Sequence, residues 1–197
     1  MKKIPKIYAF IDSQNLNLGV RSQGWKLDFR KFRQYLRNKY GVSKAFLFLG
    51  YLPGNETLYT QMQEMGYLII LKPTMKLPDK TVKGNVDAEL VLHTMIQYKD
   101  YDKAIIVSGD GDFHCLVEYL VQKDKLLRLL TPNQHYSRLF KEFSSFIVQV
   151  NWIRNNLELK KDWHQRSVET LGLSSHRDKS NLSQKHKRIK RKKGGHR

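Results

Sequence analysis

Ala104-Ile105-Ile106-Val107-Ser108-Gly109-Asp110-Gly111-Asp112-Phe113 is the stretch on which the fold turns. It opens with four apolar residues, three of them β-branched, and shows no polar alternation. A short strand of that composition is buried on both faces, as strands of parallel sheets are. The run breaks at glycine and aspartate, and a helical pattern follows over residues 113–123. A second run with the same ending lies at residues 7–11, where Phe10-Ile11 leads into Asp12-Ser13-Gln14-Asn15.

Outward from these two runs, β-rich and helical stretches alternate. Residues 28–40 read as a helix with Asp28 as N-cap, Phe29, Phe32, Leu36 and Tyr40 on one stripe, and Gly41 at the C-terminal glycine position. Residues 45–49 read as a strand, Pro53-Gly54-Asn55 as a break, and 56–65 as a helix that Gly66 ends. A strand over 67–71 precedes a Lys/Pro-rich loop from Lys72 to Gly84, then a helix over 86–98. Strands at 126–130 and 146–150 flank a last helix at 136–143, and no internal repeat is visible. Strands and helices in this alternation, joined by right-handed crossovers, predict an α/β fold: a three-layer α/β/α sandwich with a mainly parallel central sheet.

Composition bounds the rest. The 197 residues carry 36 Lys+Arg against 18 Asp+Glu, a net charge of +18, with 40% hydrophobic residues. The apolar content excludes a wholly disordered chain, and the charge points to a polyanionic partner. One cysteine, Cys115, excludes an internal disulfide and a Cys-based zinc site. No apolar run reaches the roughly 18–20 residues of a membrane span, and the apolar run after the basic start stops at Asp12, too short for a secretory leader. The expected setting is soluble and cytoplasmic. Residues 160–197 alone carry +10, culminating in the basic run 185–193. From Ser174 on they show no apolar periodicity, so the expected organisation is a folded domain over 1–159 and a basic, largely disordered tail over 160–197 that binds phosphate backbones.

Ligands of open α/β sheets bind beyond the carboxyl ends of the strands. That edge is where Asp12, Asp110 and Asp112 emerge, and Asp87, in Lys83-Gly84-Asn85-Val86-Asp87, opens a helix that also points there. Singly, Asp112 and Asp87 also suit helix starts. Together, two carboxylates ~4 Å apart repel by about 4 kcal/mol at an effective dielectric of 20. Such a group calls for raised pKa values or bound cations, and oxygen-only ligands favour Mg2+ or Mn2+ over zinc. No G-x-x-x-x-G-K-[ST], no strand-borne G-x-G-x-x-G and no G-x-S-x-G is present, which excludes a P-loop, a dinucleotide fingerprint and a nucleophile elbow. A small phosphatase is a poor fit, because Asp12 is not followed by the second Asp such enzymes place two residues on.

With Asp12-x-x-Asn15, Lys83-Gly84-x-Val86-Asp87 and Ser108-Gly109-Asp110-Gly111-Asp112-Phe113 in this order, the sequence resembles the NYN domain, a branch of the PIN-like nucleases, from about Lys6 to Val150. The resemblance implies metal-dependent cleavage of RNA, usually single-stranded. It makes Asp12, Asp87, Asp110 and Asp112 the catalytic, metal-binding acids, with Asn15 and Ser108 orienting the metal shell or the phosphate. Lys83, beside the site, is a candidate for a phosphate oxygen, and Tyr8, Trp25 and Tyr51 for base stacking. One position departs from the family pattern: His93 stands where members often carry a further Asp. That departure keeps a second function open, a non-catalytic RNA-binding adaptor on the same fold.

Overall fold

The computed structural model describes residues 4–73 and 86–160, and the backbone alone at 75–76 and 82–83. Strand β1 (Ile7–Asp12) is followed by helices α1 (Ser13–Arg21) and α2 (Phe29–Tyr40), strand β2 (Val42–Tyr51), helix α3 (Glu56–Glu64) and strand β3 (Leu68–Pro73). A short ribbon, β4 (Met75–Lys76) with β5 (Val82–Lys83), precedes α4 (Asp87–Ile96). Then come β6 (Lys103–Val107), a 3-10 turn at Gly111–Phe113, α5 (His114–Gln122), β7 (Leu126–Thr131), a 3-10 segment at Arg138–Phe146, β8 (Ile147–Gln149), a 3-10 turn at Val150–Ile153 and α6 (Arg154–Leu157).

Six strands form one parallel sheet in the order β3-β2-β1-β6-β7-β8. The chain builds outward from β1 to β3, then returns to the other side of β1. The order therefore reverses between β1 and β6, the position at which such sheets open a crevice. Alternation along the strands divides the core. Ile7, Ala9, Ile11, Ala45, Leu47, Ile105 and Val107 face Leu16 and Val20 of α1, Phe32 and Leu36 of α2 and Leu157 of α6. Tyr8, Phe10, Phe46, Phe48 and Ile106 face Leu90 of α4, Leu116, Val117 and Leu120 of α5, and Phe140 and Phe143. Both faces are covered, which is why the strands read as unbroken apolar runs.

Several local expectations are met in detail. The Asp28 carboxylate accepts the Lys31 N–H at 3.1 Å, and Gly41 closes α2 at φ 71°, a conformation that costs glycine nothing. Others are corrected. Helix α1 is not legible as a helix in the sequence, because Asn15, Asn17 and Gly19 lower its propensity. Burial of Leu16 and Val20, one helical turn apart, holds it in place. The α-helix expected over 136–143 is a 3-10 segment over Arg138–Phe146, broken at Phe143. Phe140, Phe143 and Phe146 recur every third residue, which matches three residues per turn rather than 3.6. The loop from Lys72 to Gly84 includes the end of β3 and the β4–β5 ribbon. The body also continues past the last expected strand, where Leu27 bridges to Glu158. The basic tail lies outside the described residues. Within them, no helix is long and apolar enough to cross a membrane.

Candidate functional site

Asp12 is the last residue of β1 and the N-cap of α1. Its carboxylate accepts the Asn15 N–H at 3.0 Å and the Ser108 hydroxyl at 3.3 Å, and the residue is only 5% exposed. Burial pushes its pKa from 3.8 up to about 6; the two hydrogen bonds oppose that rise, and the charges of Asp87 and Asp110 add to it.

The loop after β6 is laced to the same corner. Ser108, fully buried, donates to Asp12, while its oxygen accepts the Asp110 N–H at 3.2 Å. The Asn15 side-chain carbonyl accepts the Gly109 N–H at 2.8 Å, which ties α1 to the loop. Asp110 in turn caps the 3-10 turn, accepting the Asp112 N–H at 3.1 Å. Carboxylate oxygens of Asp87, Asp110 and Asp112 thereby come within 4.8 Å of one another, with Asp87 at the first turn of α4. The four expected acids thus divide into a convergent, partly solvated trio and a buried fourth, Asp12, whose pKa registers two of the three. They span β1 and β6, the two strands that flank the reversal of strand order.

Gly109 and Gly111 are there for space rather than for unusual backbone angles. A Cβ on Gly111 would lie 2.5 Å from Ser137 Oγ and 3.3 Å from Leu139 Cδ1, and one on Gly109 3.3 Å from Tyr136 Cβ. The Ser137 N–H also donates to the Gly109 carbonyl at 2.9 Å. The segment after β7 is thus pressed onto the acidic loop. Gly19 serves the same end: a Cβ there would lie 2.5 Å from Pro132 Cβ, and its carbonyl accepts Asn133 Nδ2 at 2.6 Å.

Other expected participants fall elsewhere. Tyr8 and Trp25 are core residues, 4% and 3% exposed, and offer no face to a base; Tyr51 is exposed at the end of β2. Lys72 pairs with Glu89 of α4 at 3.0 Å, so Glu89 is a structural partner rather than a fifth acid of the cluster. His93 packs its ring 5.8 Å from that of Phe48, six residues or roughly 9 Å down α4 from Asp87. Lys83 lies on β5, and its side chain is outside the described residues. The segment 132–139 and Trp152 carry no motif, and only the strand order brings them to this edge.

Residues 6–157 match the family model for the NYN domain. The chain is 23% identical over 163 residues to the Low amplitude and bright protein LabA of Synechococcus elongatus, covering 78% of this chain and 88% of that protein. It is also similar to the crystal structure of a protein of unknown function from Vibrio parahaemolyticus, with a TM-score of 0.66 and 24% identity over 81% of this chain and 99% of the other.

Proposed function

This chain belongs to the NYN domain family, and on that footing we propose that it is a divalent-metal-dependent ribonuclease of the PIN-like type, hydrolysing phosphodiester bonds of single-stranded RNA. The observation that carries the reading is the convergence of Asp87, Asp110 and Asp112 within 4.8 Å beside buried Asp12, at the reversal point of the sheet. An oxygen-only donor set of this charge fits a hard cation such as Mg2+ or Mn2+. Such an ion, when bound, supplies Lewis acidity toward a phosphate oxygen and lowers the pKa of a water molecule.

The chain's own residues define the rest of the reading. Asp87, Asp110 and Asp112 hold the ion. Asp12 completes the charge from behind, its carboxylate aimed by the Asn15 N–H and the Ser108 hydroxyl. Asn15 and Ser108 act as positioning residues, one fixing Gly109 and the other joining Asp12 to the Asp110 backbone. Lys83 leads into α4 and is assigned a phosphate oxygen. The tail, with its basic run at 185–193, is assigned the sequence-independent grip on the backbone of RNA.

Cleavage of an end-labelled single-stranded RNA in Mg2+, Mn2+ or EDTA tests this reading, with the Asp110→Asn protein run alongside. Internal cuts that need the metal and fall at least ~100-fold in the variant are expected, since even outer partners of a metal site cost 10- to 100-fold. RNA that shifts on a gel but stays intact in every metal would make the protein an adaptor instead. Truncation after residue 173 is expected to flatten the dependence of RNA affinity on salt, and an unchanged slope would remove the tail from the binding site.

A further inference from the structure

The edge that carries the acids continues beyond them. Strands β7 and β8 lie next to β6 and run parallel to it, so the residues after Thr131 and after Gln149 emerge on the same side as Asp110. Two strand spacings, about 10 Å, separate β6 from β8. Residues 126–141 and 143–157 contain no Asp or Glu. Glu142 and Glu158, which bound the second stretch, are engaged with His114 at 2.9 Å and Arg154 at 3.0 Å. Along this ledge the segment after β7 exposes Arg138, between Ser137 and Leu139 that abut Gly111. Among the described residues Arg138 has no carboxylate partner, although it stands next to an acidic loop.

The ledge ends at Trp152, which is 66% exposed. Its neighbours hold it there: Val150 is fully buried and Ile153 packs against the same core, so the turn Val150–Ile153 is pinned on both sides of the indole. A tryptophan left this exposed on pinned backbone gains little from folding, and it presents a flat π-face at low ordering cost. Bases stack on such faces irrespective of sequence, whereas a paired base has both faces occupied within the duplex. The positive surroundings suit a phosphate backbone, and they disfavour a cationic second copy of this chain.

Resting on the ribonuclease reading, we propose that Trp152 is a stacking platform for one unpaired base of the RNA, on the β8 side of the cut, with Arg138 contacting a phosphate between that base and the acidic cluster. The two strand spacings between β6 and β8, about 10 Å, correspond to about two to three bases at the ~3.4 Å stacked rise. The platform confines this arm of the site to single strands.

The test uses the full chain carrying Asp110→Asn, a single-stranded 12-mer whose cut position has been mapped with the wild-type protein, and a series of that 12-mer with one abasic residue at each position. Anisotropy binding is expected to show one position, two or three residues from the cut, where loss of the base weakens affinity about tenfold. Adding Trp152→Ala should lower affinity for the intact 12-mer by the same factor and erase that positional dip, while Trp152→Phe keeps most of it. A dip unchanged by Trp152→Ala, with wild-type cleavage intact, overturns the platform and leaves the ribonuclease standing. Loss of self-association by Trp152→Ala in sedimentation, with RNA affinity unaltered, assigns the indole to a second copy and overturns it too. RNA neither bound nor cut by the wild-type protein overturns both readings.

Discussion

The two ends of the central sheet are built on opposite principles. At the amino end, charges meet partners. The Lys103 ammonium donates to the Asp124 carboxylate and carbonyl at 2.6 Å, and the Asp102 carboxylate accepts the Lys6 N–H at 2.7 Å. Lys125 lies over the rings of Tyr98 and Tyr101 and donates to both their carbonyls. At the carboxyl end, like charges are gathered. Among the described residues Asp12, Asp110 and Asp112 form no ion pair, and a net of backbone and hydroxyl donors keeps the acids close instead. One end relieves electrostatic energy and the other stores it. A fold of this kind puts its charge pairing at one end and leaves the acidic edge short of what it would take up from a cation.

Asp12 provides the largest test of that difference. Its pKa is 3.8 unfolded and about 6 folded, so between those values the folded state holds the extra proton. Stability from this group is therefore full below pH 4 and is lost as pH rises through 6; the curve flattens above pH 7. A rise of that size is equivalent to at most ~3 kcal/mol. Asp12→Asn keeps an acceptor for the Asn15 N–H, since Asn caps helices as well as Asp. In EDTA at pH 8 the variant is expected to resist urea better than the wild type by about 1–3 kcal/mol, with the gap closing near pH 4. Saturating Mg2+ should shrink or reverse the gap, because the ion binds more tightly to, and so stabilises more, the protein that retains the full acid set. A variant less stable than the wild type in EDTA at pH 8 would mean that the carboxyl end stores no such energy.

How much of this contrast was legible beforehand differs residue by residue. Ser108-Gly109-Asp110-Gly111-Asp112 announced itself through conjunction: one acid after a strand is an ordinary helix cap, as Asp12 and Asp110 indeed are, but several at one sheet edge of a basic chain are not. Asp28 and Gly41 were equally plain, each being a local device that works through its own neighbours. What stayed hidden depended on contacts far along the chain. Gly19 in α1 looks like a helix breaker until Pro132 is seen against it, and Gly111 looks like a turn residue until Ser137 occupies the space of its Cβ. Aromatic residues were the least legible: Tyr8 and Trp25 were candidates for base stacking and are core, while Trp152, in no motif, is exposed. Composition does not distinguish a tryptophan that fills the core from one that faces water; strand order and burial do.

Lys125 tests the other end of the sheet, with a smaller effect and a different signature. Its ammonium lies 4.3 Å from the Tyr98 ring centre and 4.6 Å from that of Tyr101, and its hydrogen bonds to the two carbonyls are 2.6 Å each. These join the end of α4 to the starts of β6 and β7. The neighbouring Lys103–Asp124 pair contributes far less, because Asp124 is almost wholly exposed. Lys125→Met keeps the apolar stem and removes the charge, and a loss of about 2 kcal/mol is expected from the charged hydrogen bonds and ring contacts together. The loss should be the same in EDTA and in Mg2+, and RNA cleavage by the folded variant should match the wild type, since nothing at this end faces the acids. Dependence of the Lys125→Met loss on Mg2+ would instead tie the two ends through α4, whose first residue is Asp87 and whose last turn runs into Tyr98. The charge gathered at one end would then be offset by the pairing at the other, and the two could not be altered independently.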